Sequence, residues 1–324
     1  MNPKTTTQEV ETDRAIITTR LFKAPRELVF KMFTDPKHVV EWWGPRGFTT
    51  TVHEMDVRVG GTFRHTMHGP DGTDYPNYMT YKEVVRPERL AYSHGGGKED
   101  DDVLFEGRIT FEERGDKTLV TMQALFPTKA ERDRCAREYG AVEGGVQTLD
   151  RLEEHICREI AGGEFTISRV FDAPRELVWK ACTDPQRMKH WWGPKGYTVK
   201  VSNMDFRPGG IYHYGLRSPE GQEVWGKFIF RHIVAPERMD LLSCFSDEKG
   251  GLGRHPMAPD WPPQMLSSFI FTEQAGKTTF TVKWCPYFAT EIELRTFREG
   301  MNSMKQGWTG TFDQLTEYLA KNPK

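Results

Sequence analysis

The chain has 324 residues, which is long for one hydrophobic core and sufficient for two domains of about 150 residues each. Its formal net charge of −2 argues against nucleic acid as a partner, and the absence of any apolar run of about 18 residues argues against a membrane span. Five cysteines, an odd number without a CxxC pair, argue against a disulfide or zinc framework and predict a cytoplasmic location.

The first elements in chain order are a strand and two short helices. Over residues 16–22, one face of an extended chain would carry Ile16, Thr18, Arg20 and Phe22, which is typical of a strand. A helix is predicted to follow, ending at about Phe33. Asp35 before Pro36 is an N-cap signal for a second short helix, because proline is tolerated where the backbone N–H has no helical partner. The Gly44-Pro45 pair ends this helix.

Six strands and one long helix are predicted next. Short alternating segments between residues 48 and 126 are separated by turn signals such as Gly60-Gly61 and Gly115-Asp116. After Pro127 the apolar period changes to three or four residues, which indicates an amphipathic helix. Its predicted buried stripe is Tyr139, Val142, Val146, Leu149, Leu152 and Ile156.

The whole pattern then occurs a second time. The segment APRELV begins at position 24 and again at 173, and the segment WWGP begins at 42 and again at 191, so both recur after 149 residues. A Pro- and Gly-rich insertion between Cys244 and Leu266 lengthens the second copy. Two tandem domains are therefore predicted, at 14–161 and 164–322. Each is an antiparallel curved sheet wrapped around a long C-terminal helix, with two short helices after the first strand, which is the α+β class.

The repeated motifs resemble those of a known superfamily. Both copies contain the series APRELV, TDP, WWGP and PER, and both contain a D-x-R-x-GG element, at residues 56–61 and 205–210. This series is similar to the helix-grip superfamily called SRPBCC or START-like. It is most similar to the branch related to the C-terminal domain of the activator of heat-shock protein 90 ATPase. The resemblance implies two tandem helix-grip (START-like) domains. It also implies three possible roles: a carrier of hydrophobic ligands, a polyketide cyclase-like enzyme, or a co-chaperone domain.

Several side chains are candidates for lining a cavity between the sheet and the helix. The Trp-Trp pairs could stack on a flat ligand, or one member of each pair could fill the core. Arg20 and Arg169 could anchor an anion inside the cup, or form ion pairs with Asp56 and Asp205. The candidates are Arg20, Trp42, Trp43, His65, Asn77, Tyr81, Tyr92, His94, Arg169, Trp191, Trp192, Tyr214, Phe228, Trp284, Met304 and Trp308.

Alternate residues of a strand point to opposite faces of the sheet, and this pattern predicts that the two cavities differ in polarity. His65 and His94 share a face with apolar neighbours, so they are predicted to point inward. There a histidine could act as a general base, or be a hydrogen-bonded core residue. In the second copy Tyr214 and Ser243 take these positions, and Trp284 is expected to shrink or fill the space. The first cavity is therefore predicted to be the more polar and the second to be narrower and drier.

The preferred function is binding of a small hydrophobic or aromatic molecule without catalysis. The alternatives are a cyclase or dehydratase acting in the first cavity, and a co-chaperone-like module that binds a protein partner. No catalytic residue is assigned, and no cofactor, metal site, nucleic acid or membrane partner is predicted, because no corresponding motif occurs.

Overall fold

The structure, a computed structural model, describes residues 13–322. These residues divide into two compact units between Ile156 and Cys157, within the last helix of the first copy. The bounds predicted from the sequence place the division a few residues later, after the last helix of the first copy. None of the helices between residues 13 and 322 combines the length and the apolar composition that crossing a bilayer requires.

The first unit follows the predicted order of elements. A strand and two short helices precede six strands, and two helices close the copy. These elements are β1 (Ala15–Phe22), α1 (Arg26–Thr34), α2 (Pro36–Trp42), β2 (Thr49–Met55), β3 (Thr62–His68), β4 (Asp74–Val85), β5 (Arg89–Gly95), β6 (Phe105–Arg114), β7 (Lys117–Leu125), α3 (Lys129–Glu138) and α4 (Ala141–Ala161).

The second unit repeats this order. Its elements are β8 (Phe165–Phe171), α5 (Arg175–Thr183), α6 (Pro185–Met188), β9 (Thr198–Met204), β10 (Ile211–Arg217), β11 (Glu223–Val234), β12 (Arg238–Ser246), β13 (Gln264–Gln274), β14 (Lys277–Pro286), α7 (Glu291–Glu299) and α8 (Met301–Lys321).

Each copy forms one seven-stranded antiparallel sheet. The strand orders are β1-β7-β6-β5-β4-β3-β2 and β8-β14-β13-β12-β11-β10-β9, so the first strand of each copy pairs with the last. Both sheets shift register at equivalent places, between Tyr81 and Glu83 in β4 and between Phe230 and His232 in β11. Such bulges bend a strand and increase its twist. The predicted α+β class and the tandem helix-grip arrangement are confirmed.

The long helices pack on their sheets through apolar side chains. In α4, Leu149 and Leu152 are completely buried. In α8, the Phe312 ring lies 5.4 Å from Phe280 of β14 and 5.7 Å from Phe171 of β8, measured between ring centroids. The ring contacts hold α8 against its sheet, and the burial of such apolar area contributes roughly 25 cal/mol per Å².

Helices α2 and α6, one in each copy, begin at the positions that the sequence predicts. The Asp35 carboxylate accepts a hydrogen bond from the Lys37 backbone N–H at 3.0 Å, and Asp184 accepts one from Gln186 at 2.8 Å. Each aspartate satisfies one of the backbone donors left free at a helix start. The capping is therefore the same in α2 and α6.

The D-x-R-x-GG element forms the connection between two strands. Arg58 pairs with Asp56 at 2.6 Å, and both side chains are exposed. The Gly61 position leaves no room for a Cβ atom, because the Asp56 carboxyl carbon would lie 2.9 Å from it. The second copy repeats the pair between Arg207 and Asp205. We conclude that this motif stabilises a turn.

The single long helix predicted after Pro127 is two helices in the structure. α3 ends at Glu138 and α4 begins at Ala141, with Gly140 between them at a φ of 58°. This backbone conformation is accessible to glycine at low cost and interrupts the helix. The predicted stripe is therefore buried only in its later part, and Tyr139 and Val142 are exposed.

Candidate functional site

A pocket of about 480 Å³ lies in the second domain. Its walls are the inner face of β10–β14, the middle of α8 and the insertion that follows β12. Five predicted candidates from this copy line it beside Trp192, namely Tyr214, Phe228, Trp284, Met304 and Trp308. The structure thus brings together six residues that are far apart in the sequence.

The wall nearest α8 is built of indole rings. The ring centroids of Trp284 and Trp308 are 5.4 Å apart, and those of Trp192 and Trp308 are 5.8 Å apart. Trp192 also contacts Phe228 edge to face at 5.3 Å. Edge-to-face pairs at such distances are favourable, so the rings stabilise one another's positions in the wall.

The insertion supplies a side of the pocket that the sequence analysis missed. His255, Met257 and Trp261 line the pocket together with Pro262 and Pro263. The proline- and glycine-rich composition indicated only a loop, and no periodicity showed which of its side chains would face inward.

Trp261 is held on α7 rather than left in solvent. Its ring centroid lies 5.9 Å from that of Phe297, and a Cβ atom at Gly300 would lie 3.0 Å from Trp261 Cη2. Glycine at position 300 therefore provides the space that this indole occupies.

The lining of the pocket is electrically neutral. Among the described residues, it contains no Asp, Glu, Lys or Arg side chain. Burial raises the pKa values of the Tyr214 phenol and the Cys244 thiol, and it lowers the pKa of His255. All three groups are therefore uncharged near neutral pH.

Some hydrogen-bonding capacity remains in this wall. The indole nitrogens of Trp284 and Trp308 are buried and have no hydrogen-bond partner within residues 13–322. Ser243, by contrast, shares a hydrogen bond of 2.7 Å with Ser267. Both nitrogens have almost no accessible surface, so these two donors are enclosed within the wall and do not face the pocket.

The sequence left open whether Trp284 shrinks the second space or fills it, and the second alternative is wrong. Trp284 lies along one wall of the pocket, and the insertion extends the opposite side. Gly307, which also lines the pocket, has no atom within 4 Å of the position of an added Cβ. Helix α8 therefore leaves open space at this point of the pocket.

The predicted polar residues of the first domain are all buried. His65, Asn77, Tyr81, Tyr92 and His94 are at most 8% exposed. The Trp43 indole donates to His65 Nε2 at 3.1 Å, whereas His94 Nε2 lies 2.9 Å from Asn77 Oδ1. Burial lowers the pKa of His65 to about 3 and that of His94 to about 4, so both rings are neutral near pH 7.

The remaining aromatic candidates belong to the core. Trp42 and Trp191 are almost completely buried, and their indole nitrogens donate to the backbone oxygens of Met32 and Ala181 at 3.1 and 2.9 Å. In each pair it is the second tryptophan, Trp43 or Trp192, that also contacts candidate residues outside the pair.

Arg20 and Arg169 are not anion anchors inside the cup. Arg20 pairs with Asp150 of α4 at 2.6 Å, and Arg169 pairs with Asp313 of α8 at 2.5 Å. The suggested partners Asp56 and Asp205 are also incorrect, since both pair with neighbouring arginines in their turns. The strand parity was sufficient to place the arginines on the helix side, but it could not identify an acid on a distant helix.

Comparisons with known proteins match each half of the chain. The profile of the family described as "Activator of Hsp90 ATPase homolog 1-like protein" matches residues 23–156 and again residues 172–320. A comparison with curated proteins gave no match.

Solved structures match over about half of the chain. A crystal structure of a protein from Mycobacterium smegmatis has 25% sequence identity and a TM-score of 0.41, covering 44% of this chain and 90% of its own. A solution structure from Arthrobacter aurescens has 21% identity and a TM-score of 0.42, covering 45% and 87%. The AHSA1 protein from Silicibacter pomeroyi has 21% identity and a TM-score of 0.38, covering 49% and 98%.

Proposed function

The chain belongs to the Activator of Hsp90 ATPase homolog 1-like family, present here as two tandem domains, and we propose that its second domain binds a small, uncharged hydrophobic or aromatic molecule without converting it. The observation that carries this proposal is the neutral aromatic pocket of about 480 Å³. Pockets for small molecules usually measure about 300–1,000 Å³ and are mostly apolar with a few polar groups.

The chemistry of the pocket favours a ligand without charge. Burying an ion without a partner is costly, and no ionised side chain among the described lining residues could pair with one. The indoles of Trp284 and Trp308 supply aromatic surface to the wall of the pocket. A flat ring could stack on the same indoles.

The same features argue against catalysis. A general base works best with a pKa near the operating pH, and the pKa values of His65 and His94 lie far below 7. The hydrogen-bond partners that the described residues give the two imidazoles are Trp43 and Asn77, and neither is a carboxylate that would increase the basicity of the ring. The cyclase alternative therefore has less support than binding.

The family description refers to activation of the Hsp90 ATPase, and this role is the other alternative for the present chain. A co-chaperone role needs a surface for a protein partner and does not need an internal pocket. An experiment that detects binding of a small molecule in the second domain therefore distinguishes the two proposals. We further propose that nucleic acid and membranes are not partners and that the protein is cytoplasmic, on the charge balance and cysteine content of the sequence.

The first experiment is a fluorescence titration of the full chain with an uncharged naphthalene dye, accompanied by native mass spectrometry for co-purified ligand. We expect one dominant site per chain. Trp284→Phe, which removes part of the indole surface from the pocket wall, should weaken binding of the dye. Trp43→Phe in the first domain is the matched control and should leave binding unchanged.

Two outcomes would contradict the proposal. One is the absence of saturable dye binding, and the other is binding that responds to Trp43→Phe but not to Trp284→Phe. A naphthalene sulfonate of similar size provides a further control, because a neutral pocket should bind the anion more weakly than the uncharged dye.

A further inference from the structure

Two histidines of the first domain meet across the packed helices α2 and α4. His38 Nδ1 lies 3.0 Å from His155 Nε2, although the two residues are 117 positions apart in the sequence. The ring centroids are 5.2 Å apart and the rings are tilted by 59°. His155 is buried and His38 is half-buried. This separation in sequence explains why no metal-ligand spacing was visible.

A carboxylate stands beside the pair. Glu159 follows His155 by four residues in the continuous helix α4, and side chains four residues apart share one helix face. One ligand atom from each of His38, His155 and Glu159 lies within 4.8 Å of the others. The Glu159 side chain is exposed, so an ion from solvent can reach its carboxylate.

We propose that His38, His155 and Glu159 bind one zinc-class divalent ion. Two histidines and one carboxylate form a ligand set that Zn²⁺ accepts, with a water molecule as the fourth ligand. Two nitrogens, each about 2.0–2.1 Å from a tetrahedral ion, are roughly 3.3 Å apart. The observed 3.0 Å is close to this value, so the two rings need to separate by only a few tenths of an ångström.

The second copy provides an internal comparison. Arg151 donates to the backbone oxygen of Gly44, and Gln314 donates to that of Gly193, which shows that α4 and α8 correspond at a spacing of 163 residues (151 to 314). At this spacing His155 corresponds to Tyr318.

The other two ligands are also replaced in the second copy. By the same correspondence Glu159 matches Asn322, and by the repeat spacing of 149 residues His38 matches Arg187. An arginine remains protonated in proteins and cannot bind the ion. The proposal therefore predicts one ion per chain rather than two.

Such an ion would join α2 to α4. A ligand that binds the folded but not the unfolded state stabilises the protein in proportion to the logarithm of its concentration over Kd. The role proposed here is therefore structural, and it is independent of the pocket in the second domain.

The test uses Co²⁺ and Zn²⁺ with the full chain. We expect Co²⁺ to bind with a stoichiometry of one and to give the visible absorption of tetrahedral nitrogen and oxygen coordination, and Zn²⁺ to displace it. His38→Gln and His155→Gln should each weaken binding at least tenfold, and Glu159→Gln should weaken it less. His190→Gln, a histidine of the second copy, is the control and should leave binding unchanged.

Several results would overturn the proposal. They are the absence of stoichiometric Co²⁺ binding, an absorption band typical of cobalt–thiolate bonds, and binding that survives His38→Gln. Zn²⁺ should also raise the Tm of the unchanged chain but not that of the His38→Gln variant. Because His38 is only half-buried, this variant keeps the test decisive even if the buried His155 variant does not fold.

Discussion

Gly307 offers a direct way to close the pocket without damaging the fold. It lies within α8, lines the pocket, and has open space around an added Cβ. Gly307→Leu therefore places an isobutyl group into the pocket of about 480 Å³. We expect the affinity for the uncharged naphthalene dye to fall at least tenfold, which corresponds to about 1.4 kcal/mol.

The same substitution should stabilise the second domain. Glycine in a helix interior is about 0.8–1.0 kcal/mol less favourable than alanine, and leucine is nearly as favourable as alanine. We therefore expect a gain of roughly 0.5–1 kcal/mol in the free energy of unfolding.

Gly310 provides the matched control. It lies in the same helix, and an added Cβ there would be 3.6 Å from Lys195 Cβ, which is an ordinary contact. Gly310→Leu should gain helix stability in the same way without affecting dye binding. The assays are dye titration and urea denaturation of the unchanged chain, Gly307→Leu and Gly310→Leu. Unchanged dye affinity in Gly307→Leu would refute the assignment of the binding site, and a large loss of stability would refute the open space at this position.

Two further predictions concern the inner faces of the sheets. An added Cβ at Gly226 would lie 2.5 Å from Tyr214 Cζ, so Gly226→Ala should cost about 1–3 kcal/mol in urea denaturation; an unchanged midpoint would contradict this packing. The pKa values of His65 and His94 are lowered on folding to about 3 and about 4, so the unfolded chain binds more protons below pH 6.5. Stability should therefore be fully present above pH 6.5 and fall by roughly 1.4 kcal/mol per pH unit per histidine between pH 6.5 and the folded-state pKa values. A flat dependence of the unfolding free energy between pH 7 and pH 5 would exclude neutral buried rings.

Local patterns and the repeat were sufficient to predict the fold. The N-cap at Asp35 was visible because it depends on residues next to each other, and the seven strands were visible from alternation. The break at Gly140 was missed because glycine also occurs inside helices, and only the backbone conformation distinguishes the two cases.

The site was less accessible to sequence reasoning. Strand parity correctly placed His65 and Tyr214 on inner faces, since alternation is a property of each strand alone. It could not show that Trp261 from the insertion reaches the pocket or that Asp150 pairs with Arg20, because these contacts join residues from distant parts of the chain. Tertiary contacts of this kind have no periodic signal.

The two copies show how one sheet can hold different interiors. In the first, Asn77 supplies the hydrogen bond that the buried His94 requires. In the second, the corresponding positions hold Gly226 and Ser243, and the Tyr214 ring occupies the space that a side chain at position 226 would take. Replacing only one partner of the first pair would leave a buried polar group unpaired, at a cost of about 1–3 kcal/mol. A polar interior therefore changes to an aromatic one only by coordinated substitutions, and a duplicated fold does not imply two equivalent binding sites.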